Sequence, residues 1–305
     1  MLSIVQLEYL VAVDRLENIQ KAAEKCFVSQ PALSMQIKKA EEELQIQIFD
    51  RRKQPIQTTE IGKQIIEQAK IILDEHKKLK RLVEHARSDY QGVINIGVIP
   101  TVANYLIPDL YQINRDQLPG LTFNLIELKT EEVLNALAER EIDLGIISGP
   151  YQHKSFQIES LFYEPILIYG KNKGSKFLIK ELEQYKPWLL KEGNCLRNQM
   201  VNFCELREQS DALTLYEGNS LQTLIDLIEM DEGFTLLPEL SRPHLKLKED
   251  HIFEFEDSIP ARNVISLSHK RNANDSIIKI ITDAIKEIRK ENSELKSEFD
   301  LVEWD

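Results

Sequence analysis

The sequence lacks long hydrophobic runs and contains little cysteine. Nowhere do about 18 apolar residues follow one another, as a membrane span would require, and no basic segment followed by an apolar stretch opens the chain. We therefore expect a soluble, cytoplasmic protein without membrane contacts. Three cysteines, Cys26, Cys195 and Cys204, are too few for a disulfide scaffold. In a reducing compartment, a bridge between two of them would be transient and regulatory.

The motifs of common enzyme classes are also missing. The six histidines show no metal-ligand spacing, and the chain contains neither a GxxxxGK(S/T) phosphate loop nor a GxSxG nucleophile elbow. We predict no metal and no cofactor. Together these absences argue against an enzymatic function.

Positive charge is scarce overall but locally concentrated. The formal net charge of −12 argues against non-specific nucleic-acid binding by the chain as a whole. No acidic residue occurs from Cys26 to Ala40, however, where Lys38 and Lys39 lie, and Arg51-Arg52-Lys53 follows soon after. With 305 residues, 42% of them apolar, the chain is long enough to form two or three domains.

Apolar residues near the start of the chain recur at helical spacing and predict three short helices. The first two helices are marked by Leu7, Leu10, Val11, Ile19, Ala22, Ala23 and Cys26, with Cys26 in the core. Ser29 is a suitable N-cap for the third helix, because its oxygen can accept a free backbone amide. The predicted buried face of this helix consists of Leu33, Ile37, Ala40 and Leu44. Its opposite face presents Pro31, Ser34, Met35 and Lys38, with Gln30 at the exposed N-terminal end.

Periodicity alone leaves two interpretations of these helices nearly even. One is a helix-turn-helix, whose last helix enters the DNA major groove. The other is a plain helical bundle, because a polar face with two lysines is usually just solvated. The residues themselves favour the first. They are Ala22-Ala23-Glu24, Ser29 to Ser34, Gln36-Ile37, Glu42-Glu43-Leu44, Phe49-Asp50-Arg51, Thr59 and Gly62, and together they resemble the signature of the LysR family of bacterial transcription regulators.

The resemblance implies double-stranded operator DNA as a partner. It implies contacts to base edges or sugar–phosphate from Gln30, Pro31, Ser34, Met35 and Lys38, and it places Arg51 and Arg52 in a wing that grips phosphate. Gln45 departs from the family pattern, which usually has glycine after the third helix. A glycine permits positive φ, so we expect this turn to be built differently here.

The stretch after Thr59 predicts one long helix. Thr59 is a suitable N-cap, and neither proline nor glycine occurs from Lys63 to Tyr90. Spacings alternate between four and three, as in a coiled-coil seam, at Ile65, Ala69, Ile72, His76, Leu79, Val83 and Ala86. We therefore predict a dimer through this linker helix. His76 could act as a pH switch, but a polar seam residue more often sets register, which we favour.

From Val93 onwards, short apolar strands alternate with helices. The predicted strands are Val93–Ile99, Leu121–Leu128, Ile142–Ile147, Ile166–Tyr169, Trp188–Leu190, Leu213–Tyr216, Phe234–Leu237 and Val264–Leu267. The predicted helices are Tyr105–Arg115, Glu131–Glu139, Leu221–Met230 and Ser276–Lys290. This order of strands and helices resembles that of the LysR effector domain, a two-lobed α/β domain similar to periplasmic binding proteins. Ligands of such sheets lie in the cleft outside the carboxyl ends of the strands.

The complete prediction is an α+β multidomain chain. A winged helix-turn-helix DNA-binding domain spans residues 1–58, a coiled-coil linker helix residues 59–90 and the two-lobed effector domain residues 91–305. Lobe I covers about 91–161 and 267–305, and lobe II covers about 162–266.

The segment from Glu192 to Gln199, closed by Phe203-Cys204, resembles the redox stretch of the hydrogen-peroxide-sensing members of the LysR family. The resemblance extends to Ile99-Pro100-Thr101-Val102, Lys129-Thr130, Ser220-Leu221 and Thr235 to Pro238, and so covers nearly the whole chain. It implies hydrogen peroxide as the signal, with Cys195 as the peroxide-reactive residue and Cys204 as the resolving residue.

Peroxide oxidises the thiolate, so cations near the sulfur would help the reaction. Arg197 and Arg262 are the cations expected to lower the pKa of Cys195, and the resemblance implies that Thr101 and Thr130 hold the peroxide. The family often has histidine where this chain has Asn194 beside the reactive cysteine. Because an asparagine side chain cannot carry a proton, we expect the oxidation rate or its pH dependence to differ.

The spacing of Cys195 and Cys204 sets a geometric condition on a bridge between them. In a helix, their Cα atoms would stand about 13.5 Å apart, at about 1.5 Å rise per residue. A disulfide tolerates at most about 7 Å. Closing the bond would therefore refold the intervening residues, as a two-state switch requires.

Alternatives remain open. On spacing alone, Cys195 and Cys204 would be ordinary buried cysteines, and a LysR-type regulator could instead respond to a metabolite in the cleft. A thiol peroxidase or a hydrolase on the same fold is disfavoured by the missing motifs. For the favoured regulator, the resemblance further implies a homotetramer, contact with RNA polymerase, and a thiol reductant such as a glutaredoxin or thioredoxin.

Overall fold

The computed structural model describes residues 2–87, 90–171, 176–179, 182, 185–203, 216, 218–256, 259–270, 272, 274–290 and 299–301. Cys204 and residues 213–215 of one predicted strand lie outside the described residues. The chain divides into two compact units, residues 1–89 with 271–274, and residues 90–270 with 275–305. Within the described part of the chain, no helix is long and apolar enough to cross a membrane.

The first unit is a winged helix-turn-helix followed by a long helix, as predicted. Its elements are α1 (Ile4–Leu16), α2 (Ile19–Lys25), α3 (Gln30–Leu44), β1 (Phe49–Asp50), β2 (Gln57–Thr58) and α4 (Glu60–Arg87). Three polar side chains begin the first three helices, because each accepts a backbone amide that the helix leaves unpaired: Ser3, Asn18 and Ser29. The antiparallel β1 and β2 form the wing.

The predicted buried face of α3 is confirmed at Leu33, Ile37 and Ala40. It is wrong at Leu44, whose side chain is 37% exposed at the last position of the helix. Cys26 packs against this core but is only half-buried, because it lies at the C-cap of α2.

The turn after α3 contradicts the expectation about Gln45. This residue is the C-cap of α3 with φ 55° and ψ 35°, the left-handed conformation that glycine would adopt. Its backbone amide still donates to the last turn of the helix. The turn is therefore built in the usual way, and a residue with a Cβ adopts the unfavourable conformation.

The linker helix is confirmed, and Thr59 accepts the Gly62 amide at 3.0 Å as its N-cap. The predicted seam divides into two parts. Ala69 packs in the core of the first unit, whereas Ile72, Leu79 and Val83 are exposed on the single chain. The helix therefore uses its first half to support the DNA-binding fold and leaves apolar residues uncovered on its second half.

The second unit is an α/β fold. Its strands are β3 (Gly92–Val98), β4 (Leu121–Glu127), β5 (Leu144–Gly149), β6 (Phe156–Gly170), β7 (Lys176–Phe177), β8 (Phe234–Pro238), β9 (Ile252–Phe255), β10 (Pro260–His269) and β11 (Asp300–Leu301). Its helices are α5 (Pro100–Gln117), α6 (Thr130–Ala138), α7 (Cys195–Phe203), α8 (Leu221–Met230) and α9 (Asp275–Ile288), with 3₁₀ helices at Glu239–His244 and Glu249–His251.

The sheet is ordered β4-β3-β5-β10-β6-β9-β7, with β11 beside β10 and β8 beside β6. The two long strands β6 and β10 pair antiparallel along most of their length. Two separate hydrophobic cores lie along them, a first core around β3, β4, β5 and α9 and a second core around β8, β9 and α8. The two-lobed α/β architecture is thus confirmed, and β6 and β10 connect the lobes.

Several predicted elements differ from the structure in extent. The predicted strand Ile166–Tyr169 is only the end of β6, which begins ten residues earlier at Phe156. Trp188–Leu190 is not a strand; its segment makes only an isolated bridge, from Pro187 to Phe234. Helix α5 begins at Pro100, five residues before the predicted start. Proline is accepted there because the first turn of a helix needs no amide donor.

Replacing Gln45 by glycine should stabilise the first unit. The left-handed backbone that Gln45 adopts disfavours a Cβ, so Gln45→Gly should raise the free energy of unfolding by about 0.5–1 kcal/mol. Urea unfolding followed by circular dichroism measures this difference. Gln45→Ala is the matched control, because it keeps the Cβ and should bring no such gain. A glycine variant that is less stable than the alanine variant would contradict the assignment of strain to this turn.

Candidate functional site

Three helix N-termini of the second unit meet at one buried thiol. Cys195 is the first residue of α7, and its side chain is 3% exposed in the first core. Thr101 lies in the first turn of α5, and its Oγ1 is 3.9 Å from the Cys195 Sγ. Thr130 is the first residue of α6 and is also buried. The structure therefore brings together Cys195, Thr101 and Thr130, as the sequence predicts.

The Thr130 hydroxyl offers an unused hydrogen-bonding group at this point. Its Oγ1 is buried and has no hydrogen-bond partner among the described residues, yet it lies close enough to the sulfur to lower the pKa of Cys195. A buried hydroxyl without a partner is costly unless something binds it. A small polar molecule beside the sulfur would satisfy this group.

Arg262 on β10 is fully buried and binds the threonine that contacts the thiol. Its Nη1 donates to Thr101 Oγ1 at 2.8 Å and its Nη2 to the Thr101 carbonyl at 2.9 Å. Its Nε donates to Glu164 Oε2 at 2.8 Å. Arg262 is therefore present as the predicted cation, and it binds Thr101, the residue that contacts the Cys195 sulfur.

Glu164 on β6 completes the ion pair and is itself fully buried. It stands directly opposite Arg262 in the register of β6 and β10. Tyr105 donates its hydroxyl to Glu164 Oε2 at 2.8 Å, and the Leu240 amide donates to Oε1 at 3.1 Å. Three residues from three other segments of the unit thus converge on one carboxylate.

The pKa of the Cys195 thiol is raised overall, although Arg262 lowers it as expected of a nearby cation. Burial is the largest effect and raises this pKa, and it outweighs the lowering by Arg262, Thr101 and Thr130. Burial also raises the pKa of Tyr105, and Glu164 adds to that effect. The resting site therefore contains a neutral thiol and a neutral phenol beside one ion pair.

Asn194 accepts backbone amides at the start of α7. It is buried, and its Oδ1 accepts the Leu196 amide at 3.0 Å. Its carbonyl accepts the amides of Arg197 and Asn198. An asparagine in this position satisfies amides that the first turn of α7 leaves unpaired.

Arg197 lies in the first turn of α7, and its guanidinium contacts the segment before the helix. Its Nη1 donates to the Leu190 carbonyl at 3.1 Å, whereas Arg262 is the cation that acts on the pKa of Cys195. The role of Arg197 at the thiol stays a prediction. The residue ties the start of α7 to the segment before it.

A cleft of about 580 Å³ opens beside Thr101. Polar residues form much of its lining, among them Lys129, Glu132, Ser220 and Gln222. The Lys129 Nζ donates to the Glu192 carbonyl at 3.0 Å, just before the turn that leads to Cys195. The cleft therefore borders the group formed by Cys195, Thr101 and Thr130, on the side of α6 and α8.

The predicted DNA-contacting residues lie on one exposed face of the first unit. Gln30, Pro31, Met35 and Lys38 are exposed on α3, and Ser34 is half-buried among them. Their arrangement follows from the buried face of the same helix, which points to the core. This face is available to a partner of the first unit.

The wing is held against α3 by a residue that the sequence prediction did not single out. The Glu41 carboxylate accepts the Ile48 and Phe49 amides through Oε1 and binds Arg51 through Oε2 at 2.9 Å. Arg51 also reaches Ser34, with 3.4 Å between its Nη1 and the Ser34 Oγ. Arg52 remains 86% exposed and pairs only with the neighbouring Asp50 in the described wing. The two predicted phosphate-binding arginines therefore differ in exposure and in their contacts to α3.

Glu164 and Tyr105 were also missed at the thiol site. One sequence signal could have found Glu164, because it is a lone carboxylate within the apolar run from Leu161 to Ile168. Such a carboxylate is rarely fully buried without a cationic partner. Among the described residues, no group of three or more His, Cys, Asp or Glu side chains is placed to hold a metal ion.

The raised pKa of Cys195 predicts a specific pH dependence. In a Cys26→Ser/Cys204→Ser variant, alkylation of Cys195 by iodoacetamide should accelerate about tenfold per pH unit from about pH 7 to about pH 9. Only the thiolate reacts, and its fraction rises with pH until the folded pKa is passed. Since that pKa exceeds the unfolded value, the thiol also stabilises the fold fully below the unfolded pKa, and this contribution is lost as pH rises through the folded pKa.

Mass spectrometry of the alkylated protein measures this rate, with glutathione as the reference thiol. The glutathione rate should level off at lower pH than the rate of Cys195. A Cys195 rate that is already constant at about pH 7 would show a thiolate in the resting protein and would contradict the raised pKa.

Two family models match the chain. Residues 4–63 match the bacterial regulatory helix-turn-helix protein, lysR family, and residues 87–287 match the LysR substrate binding domain. A hydrogen peroxide-inducible genes activator from Pectobacterium carotovorum subsp. carotovorum is 34% identical, over 79% of this chain and 82% of that protein. The DNA-binding transcriptional dual regulator OxyR of Escherichia coli (strain K12) is 32% identical, over 83% of this chain and 84% of that protein.

Among solved structures, a full-length OxyR variant from Pseudomonas aeruginosa superimposes with a TM-score of 0.77. It is 26% identical, and the match covers 94% of this chain and 95% of that chain. The winged helix-turn-helix, the two-lobed α/β unit and these matches lead to one conclusion. This chain belongs to the LysR family of bacterial transcriptional regulators.

Proposed function

We propose that this chain is a DNA-binding transcription regulator that senses hydrogen peroxide through Cys195. One observation carries the proposal: a buried thiol lies against Thr101 and the unpartnered hydroxyl of Thr130, with Arg262 bound to Thr101. This arrangement suits a small, neutral molecule with two oxygens that donate and accept hydrogen bonds. The relatives named as hydrogen peroxide-inducible genes activators support the same function.

The chemistry at the thiol balances without a cofactor. The Cys195 sulfur attacks one peroxide oxygen, and an S–O bond forms as the O–O bond breaks. The proton that the thiol loses is taken up by the departing oxygen, which leaves as water. The products are a sulfenic acid and one water molecule. We propose that Thr101, Thr130 and Arg262 hold the peroxide and stabilise the charge that develops on the departing oxygen.

Cys204 is the proposed resolving residue, and its thiol would condense with the sulfenic acid to form a disulfide and a second water molecule. Helix α7 extends from Cys195 to Phe203, which is about 12 Å at about 1.5 Å per residue. The residue after Phe203 is only about 3.8 Å further along the chain. Its Cα cannot come closer than about 8 Å, beyond the reach of a disulfide, so the reaction requires α7 to unwind.

The DNA-binding role rests on α3 and the wing of the first unit. We propose that Gln30, Pro31, Ser34, Met35 and Lys38 contact base edges or sugar–phosphate. Arg51 and Arg52 would contact phosphate from the wing.

Exposed apolar residues on the second half of α4 support a dimer through residues 59–90. The proposed DNA-binding domain then spans residues 1–58, and the proposed effector domain spans residues 91–305. We also propose that the chain forms a homotetramer, contacts RNA polymerase and is reduced by a thiol reductant.

A second candidate function comes from the cleft beside Thr101. Its volume of about 580 Å³ and its polar lining suit a small metabolite. In that case the regulator would respond to a ligand in the cleft, and Cys195 would be incidental.

Peroxide labelling with DNA footprinting separates the two candidates. Micromolar peroxide should remove the Cys195 and Cys204 thiols from maleimide labelling and should change the footprint of the full-length chain on its operator. Cys195→Ser should abolish both effects because the attacking sulfur is gone, whereas Cys26→Ser, the matched control, should keep them. A peroxide response that survives in Cys195→Ser would overturn the sensing mechanism and favour the cleft.

A pair of neighbouring lysines tests the DNA-contacting face. Lys38 lies on the proposed DNA face of α3, and Lys39 is equally exposed but about 100° further around the helix. Lys38→Ala should weaken operator binding by about tenfold, whereas Lys39→Ala should change it by less than about threefold. Fluorescence anisotropy with labelled operator at several salt concentrations measures both variants. Equal losses in the two variants would contradict the assigned face.

A further inference from the structure

The fully buried ion pair behind the thiol has a role that the peroxide chemistry does not explain by itself. Arg262 and Glu164 are both 0% exposed. Arg262 carries the positive charge that acts on Cys195, but its Nε binds a carboxylate at 2.8 Å. A buried cation is compensated most effectively by an anion in direct contact. The charge that reaches the thiol is therefore that of a pair.

The carboxylate of Glu164 cannot leave Arg262 for another partner. Tyr105 and the Leu240 amide occupy it from two further directions, at 2.8 Å and 3.1 Å. The register of β6 and β10 places the two backbones directly opposite each other. While Nε is bound to Glu164, the two Nη groups both bind Thr101. Glu164 thus determines both the orientation and the net charge of the group behind the thiol.

We infer that Glu164 is a positioning residue for the proposed peroxide reaction: it aims Arg262 at Thr101 and offsets most of the arginine charge at Cys195. This inference rests on the proposed function for its biological meaning. It explains why the resting thiol remains protonated beside a guanidinium. Burial raises the pKa of Cys195, and an arginine paired with a carboxylate does not reverse that effect.

The consequence is chemical selectivity. A neutral thiol reacts poorly with alkylating agents and disulfides, since both require the thiolate. Peroxide also reacts with the thiolate, so the Cys195 proton must be lost in the step in which the sulfur attacks a peroxide held by Thr101 and Thr130. The ion pair would therefore keep Cys195 unreactive towards other electrophiles while the site is empty.

The test follows the pH profile of Cys195 alkylation by iodoacetamide in the full-length Cys26→Ser/Cys204→Ser chain. Glu164→Gln keeps the shape of the side chain but removes its charge, so the midpoint of the profile should fall by about one unit. Alkylation near pH 7 should then accelerate on the order of tenfold. Glu164→Asp keeps the negative charge, so the midpoint of this variant should equal that of the chain with Glu164. Glu239→Gln, which removes a nearby half-buried carboxylate, is the matched control and should leave the midpoint unchanged.

An unchanged or higher midpoint in Glu164→Gln would overturn the inference. If this variant does not fold, the double variant Glu164→Gln/Arg262→Gln decides, because removing both members of a buried pair leaves no uncompensated charge. Its midpoint should stay close to that of the parent if the two charges offset each other at the thiol. A rise of about one unit or more would show that Arg262 acts as an unopposed cation, and the inference would fail.

The same samples separate this inference from the proposed function. If the parent chain does not consume peroxide but Glu164→Gln shows the lower midpoint, peroxide sensing fails and the role of Glu164 at the thiol stands. If peroxide oxidises Cys195 and the midpoint of Glu164→Gln is unchanged, sensing stands and the role of Glu164 fails.

Discussion

The contact between Arg262 and Glu164 organises the second unit. Two charges buried without water require each other, because either one alone would lower the stability of the fold by several kcal/mol, about 3–5 in comparable pairs. The pair lies where β6 and β10 run side by side from one lobe to the other. From it, hydrogen bonds extend to α5 through Thr101 and Tyr105 and to the 3₁₀ helix at Glu239–His244 through Leu240. Polar contacts therefore tie the two crossing strands to α5 and to this 3₁₀ helix.

The thiol owes its position to three helices that begin at the same place. Helix dipoles at the starts of α5, α6 and α7 favour negative charge on the sulfur, and yet the thiol remains protonated. The reason is that the sulfur is buried, and burial disfavours the thiolate more than the dipoles and Arg262 favour it. The site thus stabilises a charge that forms during reaction without creating it beforehand.

Much of the fold could be predicted from sequence because its signals are local. Helix α8 was predicted with both ends correct, since Ser220 caps it and its apolar positions follow the helical period. The start of α5 was missed because proline at the beginning of a helix resembles a break. The strand predicted at Trp188–Leu190 was wrong because a short apolar run packs in the core equally well without a sheet partner.

The residues of the site that could be recognised by their type were predicted from the sequence. Contacts between residues far apart in the chain were not. Cys195, Thr101, Thr130 and Arg262 lie together as expected. Arg197 was assigned to the thiol because it is close in sequence, and its guanidinium binds the Leu190 carbonyl. The pKa of Cys195 depends on burial, which a linear pattern does not report. Glu41 in the first unit was missed for the same reason, since its role is visible only once β1 lies beside α3.

Helix α7 contributes side chains to two cores at once. Cys195 packs in the first core, whereas Leu196 and Met200 pack in the second. Unwinding α7 would withdraw these apolar groups from both lobes, and the lost burial would be subtracted from the stability of any disulfide that needs the helix unwound. A bond opposed in this way has a higher reduction potential and is readily reduced. The packing of a few side chains would thus lower the stability of the proposed disulfide relative to the two thiols.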